Sequence, residues 1–543
     1  MNLLHAIVGI PAIAALVLAA IPYYRVSAAL NVAASALTLL AALLLLVDRP
    51  PPTDWVFVDD FNIYMVVLTA FVGATTSLFS AGYIGHELAT GRLDALRLRF
   101  YHAMYQGFMC SMLLALLANN LGVMWVAVEG ATLSTVLMVS LYRTREAIEA
   151  AWKYFILCSV GIALALFGTI LMYLAAQPAM GPGMNAMAWL ELVRHAARFD
   201  PALLNLAFVF LLVGYGTKVG LAPLHAWLPD AHAEGPTPIS AVLSGLLLNV
   251  ALYAVLRFKM LLAANGAAIA PGPLMMGMGL TSLLLASLML YGRRDVKRLF
   301  AYSSIEHMGI ATFAFGLGGP LANFAGLLHM TLHSLTKSAV FFAVGHIAQV
   351  TGTQKIADIR ALTTTHPALG WGLVLGVVAL AGLPPLGIFI SEFLLVTTTM
   401  ARSPYLAIPL VLGLALAFGA LLLRLQGMAF GPAPAERPVA LLGSLPPLYA
   451  HRALAFAAGF YLPPPLVTAR VENHRPWPPF RLDAAAWQAL IERLGEADWS
   501  LIGLWADTAE VHMALRDDPH GHIAVASCPV TDGRFASVAA MRP

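Results

Sequence analysis

The sequence predicts an all-α polytopic membrane protein, and three observations lead to this prediction. Hydrophobic residues make up 60% of the 543 residues and charged residues only 11%, against roughly 25% in soluble domains. Apolar stretches of membrane-spanning length recur along most of the chain, and basic residues are grouped in short stretches between them. The net charge of +3 is small and dispersed, so nucleic acid is not expected as a partner.

The apolar segments predict about fourteen transmembrane helices. A bilayer core of about 30 Å requires roughly 20 apolar residues per helix. Thirteen segments meet this requirement, and a weaker fourteenth lies at 440–461. The thirteen segments lie near residues 3–21, 26–47, 61–83, 102–118, 121–141, 154–175, 202–228, 238–262, 271–291, 300–317, 320–349, 367–398 and 404–427. The start of the chain lacks a basic region before its apolar stretch, so it is interpreted as a first membrane helix and not as a removed signal.

The distribution of basic residues predicts the orientation in the membrane. Arginines and lysines are concentrated at 92–99, 143–153, 293–298 and 355–360, which fall on alternate connections. By the positive-inside rule these connections are cytoplasmic and the N-terminus is outside. The acidic, proline-rich stretch at 48–60 then lies outside as well. The expected location is the bacterial plasma (inner) membrane, with the lipid bilayer as surroundings.

The last part of the chain, residues 466–543, has the composition of a small soluble α+β tail. AAWQALIERL has helical periodicity, whereas EVHMALRD and HIAVASCPV alternate like strands. The three cysteines, Cys110, Cys158 and Cys528, form no CxxC motif. No catalytic residue, cofactor or metal site is therefore expected in this chain.

An internal similarity indicates a duplicated unit. GLAPLHAWLPD (220–230) and GLPPLGIFISE (382–392) share a Gly-Leu-x-Pro-Leu opening and each reach a carboxylate ten residues later. The separation of about five helices predicts one five-helix repeat at 102–262 and a second at 271–427, preceded by helices in 1–101. Duplicated units with interrupted helices at mid-membrane are typical of ion-translocating proteins.

Ionisable residues inside apolar segments are the candidate functional residues. Each costs at least about 2.5–3.5 kcal/mol to insert at mid-membrane, so such residues face the protein interior or water and find partners. The segments carry six of them on four helices: Glu129, Lys218, His329, His333, Lys337 and Glu392. The spacing of four places His329, His333 and Lys337 on one helix face, which predicts a ladder that passes protons with intervening water. A static structural ion pair is the alternative interpretation for any one of them.

The segment after Lys218 predicts a polar cavity at mid-membrane. Gly216, Gly220 and Pro223 are expected to interrupt the helix, and unpaired backbone groups are tolerated there only if they line a polar space. Four side chains would continue this space toward the cytoplasm: His225, Asp230, His232 and Glu234.

Four long motifs resemble a known family. KVGLAPLHAWLPDAHAEGPTPISA, RRDVKRLFAYSSIEHMG, LHMTLHSLTKSAVFFAVGHI and LAGLPPLGIFISEF resemble the antiporter-like proton-channel subunits of complex I, of Mrp antiporters and of group 4 membrane-bound nickel–iron hydrogenases. The resemblance covers roughly residues 60–430 and implies a fourteen-helix fold with two inverted five-helix repeats and broken helices 7 and 12. It implies that Glu129 pairs with Lys218 and that His333, Lys337 and Glu392 continue the proton path.

Two departures from the family pattern concern the middle of this path. Asn249 stands where many complex I relatives have a lysine or histidine, so water or a neighbour such as Arg257 or Glu306 would have to link the two halves. Glu306 replaces an uncharged residue of many complex I relatives. YSSIEHMG and ISEF are most similar to the hydrogenase-4 component F-like branch, and the tail resembles the start of a hydrogenase large subunit without its nickel-ligating CxxC.

The predicted function is that of a proton-translocating subunit of a hydrogenase-type or complex I-related complex. The implied partners are other membrane subunits and soluble nickel–iron hydrogenase-like or iron–sulfur subunits. An Mrp-type cation/proton antiporter subunit and an energy-coupling subunit for inorganic-carbon uptake are the alternatives. A structural scaffold with static ion pairs is a further alternative, although buried ion pairs often add little stability over apolar replacements.

Overall fold

The computed structural model describes residues 3–94, 98, 100–431, 480–481, 499–506, 510–517 and 523–529. It divides into two units, Met1–Thr468 and Ala469–Pro543, which are considered separately. Every described element of the first unit is helical, and this confirms the predicted all-α polytopic class.

The helices follow the predicted apolar segments closely. The first half of the unit contains α1 (Leu3–Ala20), α2 (Tyr24–Leu44), α3 (Asp60–Ala89), α4 (Tyr101–Leu117), α5 (Leu121–Val139), α6 (Arg145–Met180), α7 (Trp189–His195), α8 (Pro201–Val219) and α9 (Trp227–Glu234). The second half contains α10 (Thr237–Val242), α11 (Leu248–Ala263), α12 (Gly272–Tyr291), α13 (Val296–Leu317), α14 (Gly319–Thr351), α15 (Leu362–Thr365), α16 (Pro367–Leu380), α17 (Gly387–Arg402) and α18 (Pro404–Phe430). The sequence analysis missed the short helix α7.

Within the described residues, nine helices are long and apolar enough to cross a membrane. Other helices of the bundle are shorter, such as Tyr101–Leu117 with 17 residues, or less apolar. The fourteenth predicted span, at 440–461, lies outside the described residues, so the total number of spans stays a prediction.

Short polar side chains begin several helices at the positions where the sequence changes from loop to apolar segment. The Asp59 carboxylate accepts a hydrogen bond from the Asn62 backbone N–H, and the Asn62 side chain accepts one from the Asp59 N–H. Asn120, Thr144 and Asp200 likewise accept hydrogen bonds from the first turns of α5, α6 and α8. Such caps satisfy donors that the helix itself leaves unpaired.

Two helices are broken, where the sequence predicted breaks. The helix α8 ends at Val219, Gly220 takes a left-handed φ of 79°, and α9 begins at Trp227. In the second half, α16 ends at Leu380, Gly382 has a φ of 66°, and α17 begins at Gly387. A π-helical turn, Leu243–Leu247, also joins α10 to α11 inside a segment that was predicted as one regular helix.

Glycines allow neighbouring helices to approach closely. A Cβ at Gly279 of α12 would lie 2.6 Å from the Gly309 carbonyl oxygen and 2.6 Å from the Phe313 nitrogen of α13. A Cβ at Gly214 of α8 would meet the Ala165 nitrogen of α6 at 2.6 Å. In membranes, where lipid competes for apolar surface, this close backbone packing is a main source of helix association.

Two of the basic segments, at 293–298 and 355–360, are in contact with each other. Asp295 and Lys355 form an isolated bridge, and the Ile356 N–H donates to the Arg294 carbonyl. Arg298 forms a salt bridge of 3.1 Å with Asp230. The assignment of this end of the bundle to the cytoplasm by the positive-inside rule stays a prediction.

The acidic stretch at 48–60 holds the opposite end together. Arg257 donates to both carboxylate oxygens of Asp59, at 2.6 and 2.9 Å, and its guanidinium lies 4.8–5.4 Å from the ring centroids of four aromatic residues. Burial alone would raise the pKa of Asp59, but the charge of Arg257 and hydrogen bonds from Arg257 and the backbone hold that pKa below its ordinary value. Arg257 therefore joins α11 to the start of α3, and the suggestion that it links the two halves of the proton path stays a prediction.

The described part of the second unit is a four-stranded sheet in the order β1-β4-β3-β2. The strands are β1 (Phe480–Arg481), β2 (Trp499–Ala506), β3 (Glu510–Asp517) and β4 (Ile523–Pro529). The strands expected in EVHMALRD and HIAVASCPV correspond to β3 and β4, whereas β2 was missed. The predicted helix at AAWQALIERL lies outside the described residues.

The glycine contact between α12 and α13 leads to a stability prediction. We expect Gly279→Ala to lower the free energy of unfolding by about 1–3 kcal/mol, because the added methyl group meets backbone atoms that cannot rotate away. Gly277→Ala in the same helix is the matched control, since a Cβ there has no atom within 4 Å. Thermal unfolding of both variants in detergent measures the difference, and equal melting temperatures would contradict the packing described here.

Candidate functional site

The first polar group joins α5 and α8 just before the first helix break. The Lys218 ammonium is fully buried and lies 3.4 Å from the Glu129 Oε2 atom. It also donates to the Thr132 hydroxyl, one turn along α5 from Glu129. The structure thus brings together the two residues that the sequence paired only through a family resemblance.

The break beside Lys218 is closed by specific hydrogen bonds. The Ala222 N–H donates to the Ser282 hydroxyl of α12 at 2.8 Å. The Trp227 indole N–H donates to the Thr217 carbonyl at 2.8 Å, and the Leu221 N–H donates to the Gly216 carbonyl at 2.9 Å. Because backbone groups freed by a break need partners inside a membrane, these bonds fix the position of the turn.

The residues after this break lead to a charged cluster at the end of the bundle with the basic loops. Asp230 forms salt bridges with Lys153 at 3.2 Å and with Arg298 at 3.1 Å, and Arg298 also pairs with Glu234 at 3.1 Å. A cavity of about 510 Å³ lies beside Asp230 and Lys153 between α6 and α9. Asp230 and Glu234 are therefore paired with cations in this cluster, and the polar space that the sequence predicted around them stays a prediction.

Two histidines follow the same break. His225 is half-buried, its ring centroid lies 6.3 Å from that of Tyr302, and its Nδ1 atom is buried without a hydrogen-bond partner. His232 is fully buried, with Nδ1 at 2.8 Å from the Leu228 carbonyl and Nε2 without a partner. Both side chains thus keep one nitrogen available toward the protein interior.

The centre of the bundle contains Asn249 and Ser334. The Asn249 amide nitrogen donates to the Ser334 hydroxyl at 2.6 Å and to the Met330 carbonyl at 3.2 Å. The Ser334 hydroxyl donates to the Gly245 carbonyl in the π-helical turn at 2.6 Å. The Asn249 Oδ1 atom is buried and has no hydrogen-bond partner among the described residues, so it can accept a hydrogen bond from a water molecule.

The second polar group joins α13, α14 and α17. The His307 Nδ1 atom lies 3.1 Å from the His329 Nε2 atom, and the His329 Nδ1 atom lies 2.9 Å from the Ser391 hydroxyl. The Ser391 hydroxyl donates to the Ile388 carbonyl at 2.8 Å. Ser391 therefore accepts the hydrogen of His329 Nδ1, and the His329 Nε2 atom carries a lone pair that faces His307.

The remaining predicted residues surround this pair of histidines. Glu306 Oε2 lies 3.9 Å from His307 Nε2, and it accepts a hydrogen bond from the Ser303 hydroxyl at 3.4 Å. Glu392 lies next to the second helix break, where a Cβ at Gly382 would come within 2.1 Å of its Oε2 atom. The left-handed Gly382 thus leaves room for the carboxylate as well as forming the turn.

The expected ladder of His329, His333 and Lys337 along α14 also has contacts with α13, which the spacing of four residues did not predict. His333 is fully buried, neither ring nitrogen has a hydrogen-bond partner, and its ring lies 5.4 Å from that of His307. Lys337 is also fully buried and donates to the Phe300 carbonyl at 3.1 Å. Neighbours on α13 therefore supply contacts between the steps of the ladder.

The sequence analysis missed several buried polar residues. His307 stands in the quoted motif YSSIEHMG, and its place beside Glu306 was the available signal. Ser334 and Ser391 gave no signal, since a serine in an apolar segment is common. Glu87 was also missed: it is buried at the end of α3 and accepts hydrogen bonds from Tyr142 and Gln349.

These features define a class of proteins: multi-pass membrane proteins with two broken helices and buried ionisable side chains beside each break. Residues 118–417 match the family described as NADH:quinone oxidoreductase/Mrp antiporter, TM. The chain belongs to this family and is one of its antiporter-like membrane subunits.

One relative and two solved structures illustrate the similarity. The chain is 59% identical over 463 residues to a hydrogenase-4 component F homolog of Methylacidiphilum infernorum, covering 85% of this chain and 97% of that protein. The fold is similar to a chain of the archaeal membrane-bound sulfane sulfur reductase, with a TM-score of 0.75, 20% identity and coverage of 85% and 95%. It is also similar to a chain of respiratory complex I from Thermus thermophilus, with a TM-score of 0.72, 22% identity and coverage of 86% and 97%.

These similarities bear on the assembly. The two solved structures, at 20% and 22% identity, show the fold. The relative of Methylacidiphilum infernorum is named as a homolog of a hydrogenase-4 component, which agrees with the expectation that other membrane subunits are partners of this chain.

The pair of Glu129 and Lys218 leads to a prediction that separates a functional role from a structural one. Replacing a buried ion pair by apolar side chains is often neutral or stabilising, by about 1–4 kcal/mol, whereas removing one partner is destabilising. We therefore expect the double variant Glu129→Leu/Lys218→Met to be at least as stable as the wild type. The single variant Glu129→Leu should be less stable by up to about 3 kcal/mol, because Lys218 loses its counter-charge. Thermal unfolding in detergent measures both, and a strongly destabilised double variant would favour the scaffold interpretation.

Proposed function

We propose that this chain moves protons across the bacterial plasma membrane as a subunit of a hydrogenase-type or complex I-related oxidoreductase complex. The observation that carries the proposal is the arrangement of two buried groups of ionisable side chains, each beside a helix break. Membership of the family and the similarity to a hydrogenase-4 component F homolog support it.

The first group can take up and release a proton. A carboxylate beside an ammonium stabilises the charged form of the lysine, and a greater distance between them favours proton release. Glu129 keeps 19% of its side chain accessible, whereas Lys218 has none, so the carboxylate is the partner with room to move. A change in a neighbouring subunit that draws Glu129 away would therefore release the proton of Lys218 toward the centre of the bundle.

The centre can pass a proton without holding one. Asn249 does not ionise at physiological pH, but its Oδ1 atom is a free acceptor, and Ser334 beside it has a hydroxyl that can reorient. A water molecule bound at Oδ1 would connect the first group with α14. The link between the two halves in this chain then consists of water and hydroxyl groups, where many relatives are expected to have a titrating side chain.

The second group can receive the proton and deliver it to the second break. His307 and His329 form a direct imidazole contact, and each neutral ring can accept a proton on one nitrogen while it releases one from the other. Glu306 and Glu392 stand at the two ends of this contact. The proposed path therefore uses Glu129, Lys218, Asn249, Glu306, His329, His333, Lys337 and Glu392, with His307 added, and it reaches the cytoplasmic end past His225 and Asp230.

A transport measurement tests this path. We expect Lys218→Met to reduce redox-driven proton movement at least tenfold in inverted membrane vesicles, when the rate is expressed per assembled complex. Methionine has a similar length but cannot carry a proton, so the first group would lose its exchangeable charge.

The matched control removes a membrane-helix cation that lies apart from the path. Arg424→Met deletes an arginine on α18 that donates to the Tyr291 carbonyl, and we expect its proton movement to equal that of the wild type. Normal proton movement in Lys218→Met would overturn the proposed path.

The soluble partners decide between the proposed complex and its alternatives. We expect affinity purification of the tagged chain from its native membrane in mild detergent to recover nickel–iron hydrogenase-like and iron–sulfur subunits, identified by mass spectrometry. Recovery with only small antiporter subunits would indicate that the same residues act in an Mrp-type cation/proton antiporter. Recovery with a soluble zinc protein would favour energy coupling for inorganic-carbon uptake.

A further inference from the structure

Three potential metal ligands converge in the second polar group. One ligand atom each from His307, His329 and Glu392 lies within 4.8 Å of the other two. The imidazole nitrogens that face each other are His307 Nδ1 and His329 Nε2, 3.1 Å apart. Two metal–nitrogen bonds of about 2.1 Å produce such a separation at an angle near 100°. The carboxylate has to approach by a small rotation of the Glu392 side chain.

The outer nitrogen of each histidine faces an oxygen. His329 Nδ1 donates to the Ser391 hydroxyl, and His307 Nε2 points toward the Glu306 carboxylate at 3.9 Å. Metal-binding histidines usually donate their other N–H to a carboxylate, a carbonyl or a hydroxyl, which fixes the tautomer that leaves a lone pair for the metal. Both rings can adopt this tautomer here. His307 Nε2 is buried and has no hydrogen-bond partner among the described residues. Moving the hydrogen of the His307 ring from Nδ1 to Nε2 therefore breaks only the hydrogen bond to His329.

The charges and the ligand types favour a divalent transition metal. Two imidazoles and one carboxylate are ligands that zinc accepts in protein sites with an open fourth position. Glu392 and Glu306, when ionised, together balance the two positive charges of the ion, which makes its burial feasible. Glu392 is the partly buried member of the three, on α17.

We propose that His307, His329 and Glu392 form a binding site for a divalent transition-metal ion of the zinc type. The ion would be coordinated by the two imidazole nitrogens that face each other and by one carboxylate of the proton path. The inhibitory consequence rests on the proposed function: a bound ion would block proton transfer between Glu306 and Glu392. Metal binding itself does not depend on that function.

Titration of the purified full-length chain with Co²⁺ tests the site directly. The chain should carry an affinity tag without histidine and be treated with a chelator first. Four-coordinate Co²⁺ absorbs visible light much more strongly than the hydrated ion, so binding appears as new absorption bands. We expect one such ion per chain and displacement by Zn²⁺, with the bands lost in Glu392→Gln and in His307→Gln. Ser391→Ala should weaken binding about 10–100-fold, because it loses only the oxygen that orients His329.

A matched control removes another buried histidine. His102 on α4 is fully buried and contacts the rings of Tyr24 and Tyr101, and its nitrogens have no hydrogen-bond partner. His102→Gln should keep the Co²⁺ spectrum of the wild type. The histidines and the cysteine of the tail are the same in every variant. Any ion that they hold would therefore contribute equally to all the spectra.

The outcomes are separable from those of the transport test. Unchanged Co²⁺ bands in Glu392→Gln and His307→Gln, or no bands in the wild type, would overturn the metal site and leave the Lys218 experiment valid. Conversely, a Lys218→Met variant with normal proton movement would overturn the proposed path but not the binding result. In wild-type vesicles, Zn²⁺ should slow proton movement at concentrations that fill the site.

Discussion

The absence of water from the bilayer interior is the constraint on which the rest of this structure depends. A backbone or charged group that finds no partner inside the protein costs several kcal/mol there, so each interruption of a helix needs its own hydrogen bonds. At the first break Ser282 and Trp227 supply them, one from α12 and one from the start of α9. The same bonds hold the turn next to Lys218, which links the stability of the break to the geometry of the polar group.

The same constraint makes it costly to bury polar atoms that have no hydrogen-bond partner. Most polar side chains in the bundle bind a neighbour one turn away or on an adjacent helix, as Ser334 binds Gly245. The Asn249 Oδ1 atom and both ring nitrogens of His333 do not. Such atoms persist at a cost, and each can form a hydrogen bond with a water molecule.

Charges at the two ends of the bundle have a different role. The Asp59–Arg257 pair and the cluster of Asp230, Arg298 and Lys153 connect helices that belong to distant parts of the chain. They are strong local contacts, partly open to water, and they keep the ends of the helices in register. The distances between the ionisable side chains of the interior can then change. A role as a static ion pair would not require such changes.

The sequence by itself determined the all-α membrane class, the positions of both breaks and most of the ionisable residues, because apolar length and glycine and proline act locally along the chain. The tertiary structure decided which of these residues meet. His307 reaches His329 across 22 positions, and His329 reaches Ser391 across 62, so no local spacing reveals the cluster. The pairing of Arg257 with Asp59, 198 positions away, was not predicted for the same reason: contacts between helices depend on how they pack, and a single sequence contains no direct record of that packing.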